Sequence, residues 1–92
     1  SIMASIKDLK KDINYVLGDI IEAVYLWEAA TNNLDSKEGS ALIDQAIEVF
    51  DGLIAKVNDK KADNRSAHLK AVKNDLETKA TELVTALNKL SA

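Results

Sequence analysis

The residues of this sequence that could carry out chemistry are mostly acidic side chains on two segments. Asp19 and Glu22 stand one helical turn apart, and Asp44, Glu48 and Asp51 recur at the spacing of one face of a second helix. Carboxylates on facing helices can bind two metal ions, but the di-iron pattern also requires Glu-x-x-His on two helices. The chain has 1 His, and no glutamate stands three residues before it. We therefore interpret these carboxylates as solvated side chains that keep the protein soluble.

His68 is the remaining candidate for acid–base chemistry or for a pH-dependent switch. Nucleophilic catalysis would need a cysteine, or a serine and an acid in a recognisable motif, and the sequence offers neither. The 3 Gly residues stand apart from one another, so there is no glycine-rich loop for a phosphate group. We predict a protein that is not an enzyme and has no metal ion or cofactor, with His68 as a partly exposed helix residue.

Charge is distributed unevenly along a chain whose net charge is −3. Residues 19–51 contain eight acidic residues and one lysine, whereas residues 52–73 contain six basic residues and two acidic ones. The basic segment, residues 56–73, could meet an acidic partner or a phosphate backbone. It has no aromatic residue for base stacking, and no Trp or Phe for insertion into a membrane surface. We interpret it as solvated, and expect neither a nucleic acid nor a membrane as the partner.

The stretch of residues 16–27 contains two charged residues and is otherwise mostly apolar. It lies within a predicted first helix, residues 6–31, that we expect Ser5 to cap. Apolar residues recur along this helix in alternating steps of three and four, which predicts a heptad core seam. The seam consists of Ile6, Leu9, Ile13, Val16, Ile20, Ala23, Trp27 and Ala30. Trp27 is therefore assigned to the core, and Asp19, which borders the seam, is the carboxylate best placed to reach a buried partner.

Two further helices are predicted, residues 36–58 and residues 63–90, each with an apolar stripe. Asp35 and Ser40 are alternative N-caps for the second helix. The connections between the helices are short and polar, which makes sequential helices pack antiparallel. With no Pro and 3 Gly, the composition also disfavours an all-β fold. The sequence therefore predicts one all-α domain over residues 1–92, an up-down-up antiparallel three-helix bundle that could associate into a dimeric helical bundle.

The first helix carries more apolar surface than two neighbouring helices normally cover. A glycine in its interior, Gly18, costs about 1 kcal/mol relative to alanine; it could mark a kink or a close approach of another helix, or have no structural role. We predict a protein-interaction or self-associating module that uses the outer face of this helix, with a second copy of the chain (a homodimer) or another protein as the partner. The residues of this predicted contact are Tyr15, Gly18, Ile21, Glu22 and Tyr25.

An alternative function is the binding of a small apolar ligand. Tyr25, Trp27 and Phe50 are three of the four aromatic residues of the chain, and helices that face one another could bring them together around a pocket. Such a pocket would take up hydrophobic molecules without transforming them. It therefore shares with the first hypothesis the absence of an enzymatic role.

Three segments, residues 7–17, 41–46 and 53–58, resemble small uncharacterised bacterial all-helical proteins. Their sequences are KDLKKDINYVL, ALIDQA and LIAKVN, which are packing motifs without a catalytic signature. The resemblance implies a bacterial helical bundle in the cytoplasm, with no activity attached to it. The absence of Cys is typical of that reducing compartment. The sequence contains no run of about 18 apolar residues, so we expect no transmembrane span.

Overall fold

The computed structural model describes the backbone of residues 2–61 and 63–91, and the side chains of residues 5–61 and 63–90. Within these residues there are three α-helices and no strands, which confirms the predicted all-α, three-helix fold. The helices are α1 (Ile2–Ala30), α2 (Lys37–Asn58) and α3 (Arg65–Ser91). Each helix contacts the other two, and the molecule measures 48 × 18 × 16 Å. None of the helices in the described residues combines the length and hydrophobicity that a bilayer crossing requires.

The hydrophobic core lies between the three helices. Ile13, Val24 and Val57 are completely buried in it. Full burial of a side chain of this size stabilises the fold by about 1.5–3 kcal/mol relative to leaving it exposed. The buried apolar residues are Leu9, Ile13, Leu17, Ile20 and Val24 of α1, Leu42, Ala46, Leu53 and Val57 of α2, and Leu69, Val72, Leu76 and Leu83 of α3.

The buried line of α1 departs from the predicted heptad seam toward the end of the helix. An α-helix has 3.6 residues per turn, so a strict 3.5-residue repeat drifts around a straight helix by about 20° per heptad. The drift moves the core position from Trp27 to Glu28, which is only 4% exposed. Trp27 is partly buried and Ala30 is exposed, so their assignment to the core was wrong.

Both ends of α1 differ from the predicted ones. The helix begins before Ser5, which therefore lies inside it and is not the N-cap. At the other end, the backbone N–H of Asn33 donates to the carbonyl oxygen of Glu28 at 2.8 Å. The N–H of Asn32, whose φ is 55°, donates to the carbonyl oxygen of Ala29 at 3.3 Å. This pair of bonds is a Schellman motif, which turns the chain sharply toward α2.

The N-cap of α2 is Ser36, whose side chain accepts a hydrogen bond from the backbone N–H of Gly39. The prediction of Asp35 or Ser40 as the cap was wrong. Asp35 lies in the turn with a φ of 58°. The N–H of Ser40 donates to the carbonyl oxygen of Ser36, inside the first turn of the helix. The side chain of Asn64 caps α3 in the same way as Ser36 caps α2.

Candidate functional site

The outer side of α1 carries four of the five residues predicted to form a protein contact. Tyr15 and Tyr25 are 57% and 56% exposed, and Gly18 and Glu22 between them are exposed as well. Their spacing of three and four residues places them along one side of the helix. Ile21 is different, because it is partly buried and packs against the core. Much of its apolar surface is therefore covered by the chain itself.

Gly18 and Ile21 line a groove between α1 and α2. Ile47 of α2 is 46% exposed, so it adds apolar surface beside the outer side of α1. A Cβ atom on Gly18 would meet no neighbouring side chain or helix within 4 Å, so packing within the chain does not require glycine there. The groove has a volume of about 210 Å³ and is lined by Asn14, Leu17, Gly18, Ile21, Ile47 and Phe50.

Tyr15 lies at the edge of the outer side of α1 that borders α3. With Asp12 and Val16 it lines a groove of about 410 Å³ whose second wall consists of side chains between residues 73 and 81. The Nζ atom of Lys11 lies 5.8 Å from the centroid of the Tyr15 ring, within the range of a cation–π contact. The predicted contact residues therefore lie between two grooves, one toward α2 and one toward α3.

The residues of the alternative ligand pocket are distributed over different surroundings. Phe50 lines the groove beside Gly18, and neither Tyr25 nor Trp27 is among the residues that line that groove. Tyr25 is exposed on the outer side of α1, whereas Trp27 is partly buried. A pocket shared by the three aromatic side chains remains a prediction.

A buried carboxylate that was not identified from the sequence joins α1 to α2. Oε2 of Glu28 accepts hydrogen bonds from the backbone N–H of Ser36 at 2.8 Å and from its hydroxyl group at 2.9 Å. The same hydroxyl oxygen accepts a bond from the N–H of Gly39 at 2.9 Å. A Cβ atom on Gly39 would lie 2.6 Å from both Glu28 Oε2 and Ser36 Oγ, so the site requires glycine. We refer to these three residues as the Glu28 cap.

The spacing of Glu28 contained a signal for its burial. Glu28 continues the series Leu17, Ile20 and Val24 in steps of three and four, and all three of those residues are buried. A carboxylate close to the N-terminus of α2 also meets the positive end of the helix dipole. Its contacts hold the turn between the two helices, which makes Glu28 a structural residue.

The opposite end of α2 is held by two side chains of α3. Arg65 donates from Nη1 to the carbonyl oxygen of Asp59, and from Nη2 to that of Val57 at 3.4 Å. His68 donates from Nε2 to the carbonyl oxygen of Lys56. It is partly exposed, which confirms its predicted environment. We refer to Arg65 and His68 as the basic cap, because both bind carbonyl groups at the negative end of the α2 dipole.

The carboxylates that could have bound a metal ion do not converge. The five acidic side chains considered first, from Asp19 to Asp51, are all exposed. Among the described residues, no group of three His, Asp or Glu side chains is placed to share a metal ion. Asp19, which the sequence singled out as the carboxylate best placed to reach a buried partner, is exposed, whereas Glu28 of α1 is buried.

No family model, no curated protein and no solved structure matches this chain. The resemblance to small bacterial all-helical proteins therefore stays a prediction.

Proposed function

We propose that the chain is a non-catalytic protein-contact module that pairs with a second copy of itself through the outer face of α1. In this proposal the three helices run up, down and up, an order supported by the short connections at residues 31–36 and 59–64. A bacterial cytoplasmic setting remains an expectation from the resemblance. The outer face consists of Tyr15, Gly18, Glu22 and Tyr25, with Ile21 at its edge.

The observation that carries the proposal is the exposure of two tyrosine rings on either side of a glycine. Tyr15 and Tyr25 are 57% and 56% exposed in the isolated chain. Aromatic rings bury large apolar areas, and tyrosine is enriched at interfaces because its hydroxyl group can stay hydrated. Ile47 contributes further exposed apolar surface across the groove from Gly18. These exposed apolar side chains support a contact site on this face of the molecule.

The groove beside Gly18, unlike the larger groove beside Tyr15, is smaller than a typical small-molecule pocket. Its volume is about 210 Å³. Pockets for small molecules usually measure about 300–1,000 Å³ and enclose most of the ligand surface. An apolar groove of this size is suited to a side chain that projects from a packed helix.

Substitution of Gly18 by arginine tests the proposal. The new side chain meets no other helix of its own chain within 4 Å of its Cβ atom, so the monomer should keep its fold. A long charged side chain on the outer face should prevent pairing. At micromolar concentration, light scattering should give the wild-type chain a mass near twice its 10.0 kDa, and Gly18→Arg the mass of a single chain.

Gly52→Arg is the matched control. Gly52 is an exposed helical glycine, and a Cβ atom there also meets nothing within 4 Å. It lines the groove between α2 and α3, away from the outer face of α1. The control should therefore pair as the wild-type chain does. A monomeric wild-type chain, or equal pairing of the two arginine variants, would contradict the proposal.

A further inference from the structure

The residue pattern of the outer face points to the geometry of the pairing. We propose that two copies pack α1 against α1 in opposite directions, about a two-fold axis that passes between Tyr15 and Gly18. This inference rests on the proposed function, and it adds which residue of one copy meets which residue of the other.

The outer face has the spacing of a coiled-coil seam. Its residues follow one another in alternating steps of four and three, the repeat that keeps a seam on one side of a helix. When a second copy runs in the opposite direction, residues equally far from the axis meet each other. Tyr15 then meets Gly18 of the second copy, and Lys11 meets Glu22. The seam residues are Lys11, Tyr15, Gly18, Glu22 and Tyr25.

The first of these pairs is complementary in size. Tyr15 presents a large ring that is 57% exposed, and Gly18 has empty space where a side chain would stand. A ring placed over the glycine of the second copy fills that space, and two-fold symmetry repeats the contact on the other side of the axis. Close packing of a large side chain against a small one allows the helix axes to approach.

The second pair is complementary in charge. Lys11 lies along the outer face, because its Nζ atom stands 5.8 Å from the centroid of the Tyr15 ring. Glu22 is exposed and forms no ion pair with any described residue. Antiparallel pairing brings each lysine to the glutamate of the other copy, at both ends of the seam.

Parallel pairing of α1 with α1 would lose both the complementarity in size and the complementarity in charge. Each residue of the seam would then meet its own counterpart. Lysine would face lysine, glutamate would face glutamate, and the two Tyr15 rings would compete for the same space. Like charges placed opposite each other weaken association, and this disfavours the parallel arrangement.

Disulfide trapping distinguishes the two arrangements, since the chain has no Cys of its own. In the antiparallel pair, the two copies of residue 18 are offset along the helices by about 4–5 Å, within reach of a disulfide bond. The two copies of residue 25 are offset by about 25 Å, which is out of reach. Under mild oxidation, Gly18→Cys should become a covalent dimer and Tyr25→Cys should not. Covalent dimers of Tyr25→Cys formed as rapidly as those of Gly18→Cys would overturn the antiparallel assignment.

Charge exchange provides a second measurement that introduces no disulfide. Lys11→Glu and Glu22→Lys should each raise the Kd of the dimer about tenfold, because two symmetric attractions become repulsions. The double variant restores both pairs and should return the Kd to within about threefold of the wild-type value. Single variants that pair as the wild type does, or a double variant that stays weak, would overturn the inference.

The outcomes separate this inference from the proposed function. A wild-type chain that is monomeric in light scattering removes both. If the wild-type dimer is lost in Gly18→Arg but its Kd is unchanged by Lys11→Glu and Glu22→Lys, the contact face is supported. The antiparallel register alone is then overturned.

Discussion

At its N-terminus α2 is held by a buried carboxylate, and at its C-terminus by two basic side chains close to the surface. Glu28 is 4% exposed and reaches Ser36 across the connection between α1 and α2. Arg65 and His68 are partly exposed and reach the last carbonyl groups of the helix. The charges of Glu28 and Arg65 each stand at the end of the α2 dipole that their sign favours. The two caps therefore use the same electrostatic principle at different depths.

The difference in depth teaches how much each cap should contribute to stability. At the basic cap, the hydrogen bonds to the carbonyl oxygens of Asp59 and Lys56 are exposed, so water can replace them when they are lost. At the Glu28 cap, loss of the carboxylate would leave the N–H of Ser36 with its longer bond to the carbonyl oxygen of Asn33, at 3.2 Å. We therefore expect substitutions at the buried cap to cost more.

The largest effect should come from Glu28→Ala, which removes two hydrogen bonds to a buried carboxylate. We expect the free energy of unfolding to fall by about 2–3 kcal/mol, as measured by urea denaturation. Glu48→Ala is the control, because Glu48 is an exposed acidic residue and its loss should change that free energy by less than about 0.5 kcal/mol. Equal losses in the two variants would show that burial gives the Glu28 cap no special weight.

A smaller loss is expected from Gly39→Ala, which places a methyl group 2.6 Å from Glu28 Oε2 and Ser36 Oγ. Displacement of these two oxygen atoms should lower the free energy of unfolding by about 1–2 kcal/mol. Gly52→Ala should instead raise it by up to about 1 kcal/mol, since the site is open and alanine favours the helix. Thermal unfolding followed by circular dichroism measures both, and a gain in Gly39→Ala would exclude the proposed crowding.

The smallest effect should come from Arg65→Ala at the basic cap. Its bond to the carbonyl oxygen of Asp59 is exposed, and its part-buried bond to that of Val57 is long, at 3.4 Å, so we expect a loss of about 0.5–1 kcal/mol. Amide hydrogen exchange should show the loss as faster exchange in the last turn of α2, with little change at the Glu28 cap. A loss greater than that of Glu28→Ala would reverse the ranking of the two caps.

Much of the fold could be predicted because three blocks of helical periodicity are separated by polar connections. The position of the apolar stripe around the end of α1 could not be predicted, because a rotation that is small in each turn accumulates along the helix. That accumulated rotation determines whether Trp27 or its neighbour Glu28 faces the core. The N-cap of α2 could not be predicted either, because Ser36 is held in the cap position by a carboxylate eight residues earlier in the chain.

The side of α1 that carries the candidate site could be predicted from the sequence, but the residues of α2 and α3 that border this site could not. Helical spacing alone places Tyr15, Gly18 and Tyr25 on the outer side of α1, where the structure has them exposed. The periodicity of α1 does not determine on which side α2 and α3 pack, because three helices can be arranged with either hand. The sequence therefore gave no reason to expect that α2 would cover part of Ile21, or that α3 would border Tyr15.

The two caps also bear on the order in which the molecule folds. The bonds that link one helix to the end of the next join residues only 6 to 12 positions apart. Closing a loop of that length takes about 10–100 ns and costs less entropy than joining distant parts of the chain. Contacts between α1 and α3 must wait for much longer loops to close. We therefore expect each connection to form as a local hairpin early, with α2 shared by both, and the packing of α1 on α3 to complete the core last.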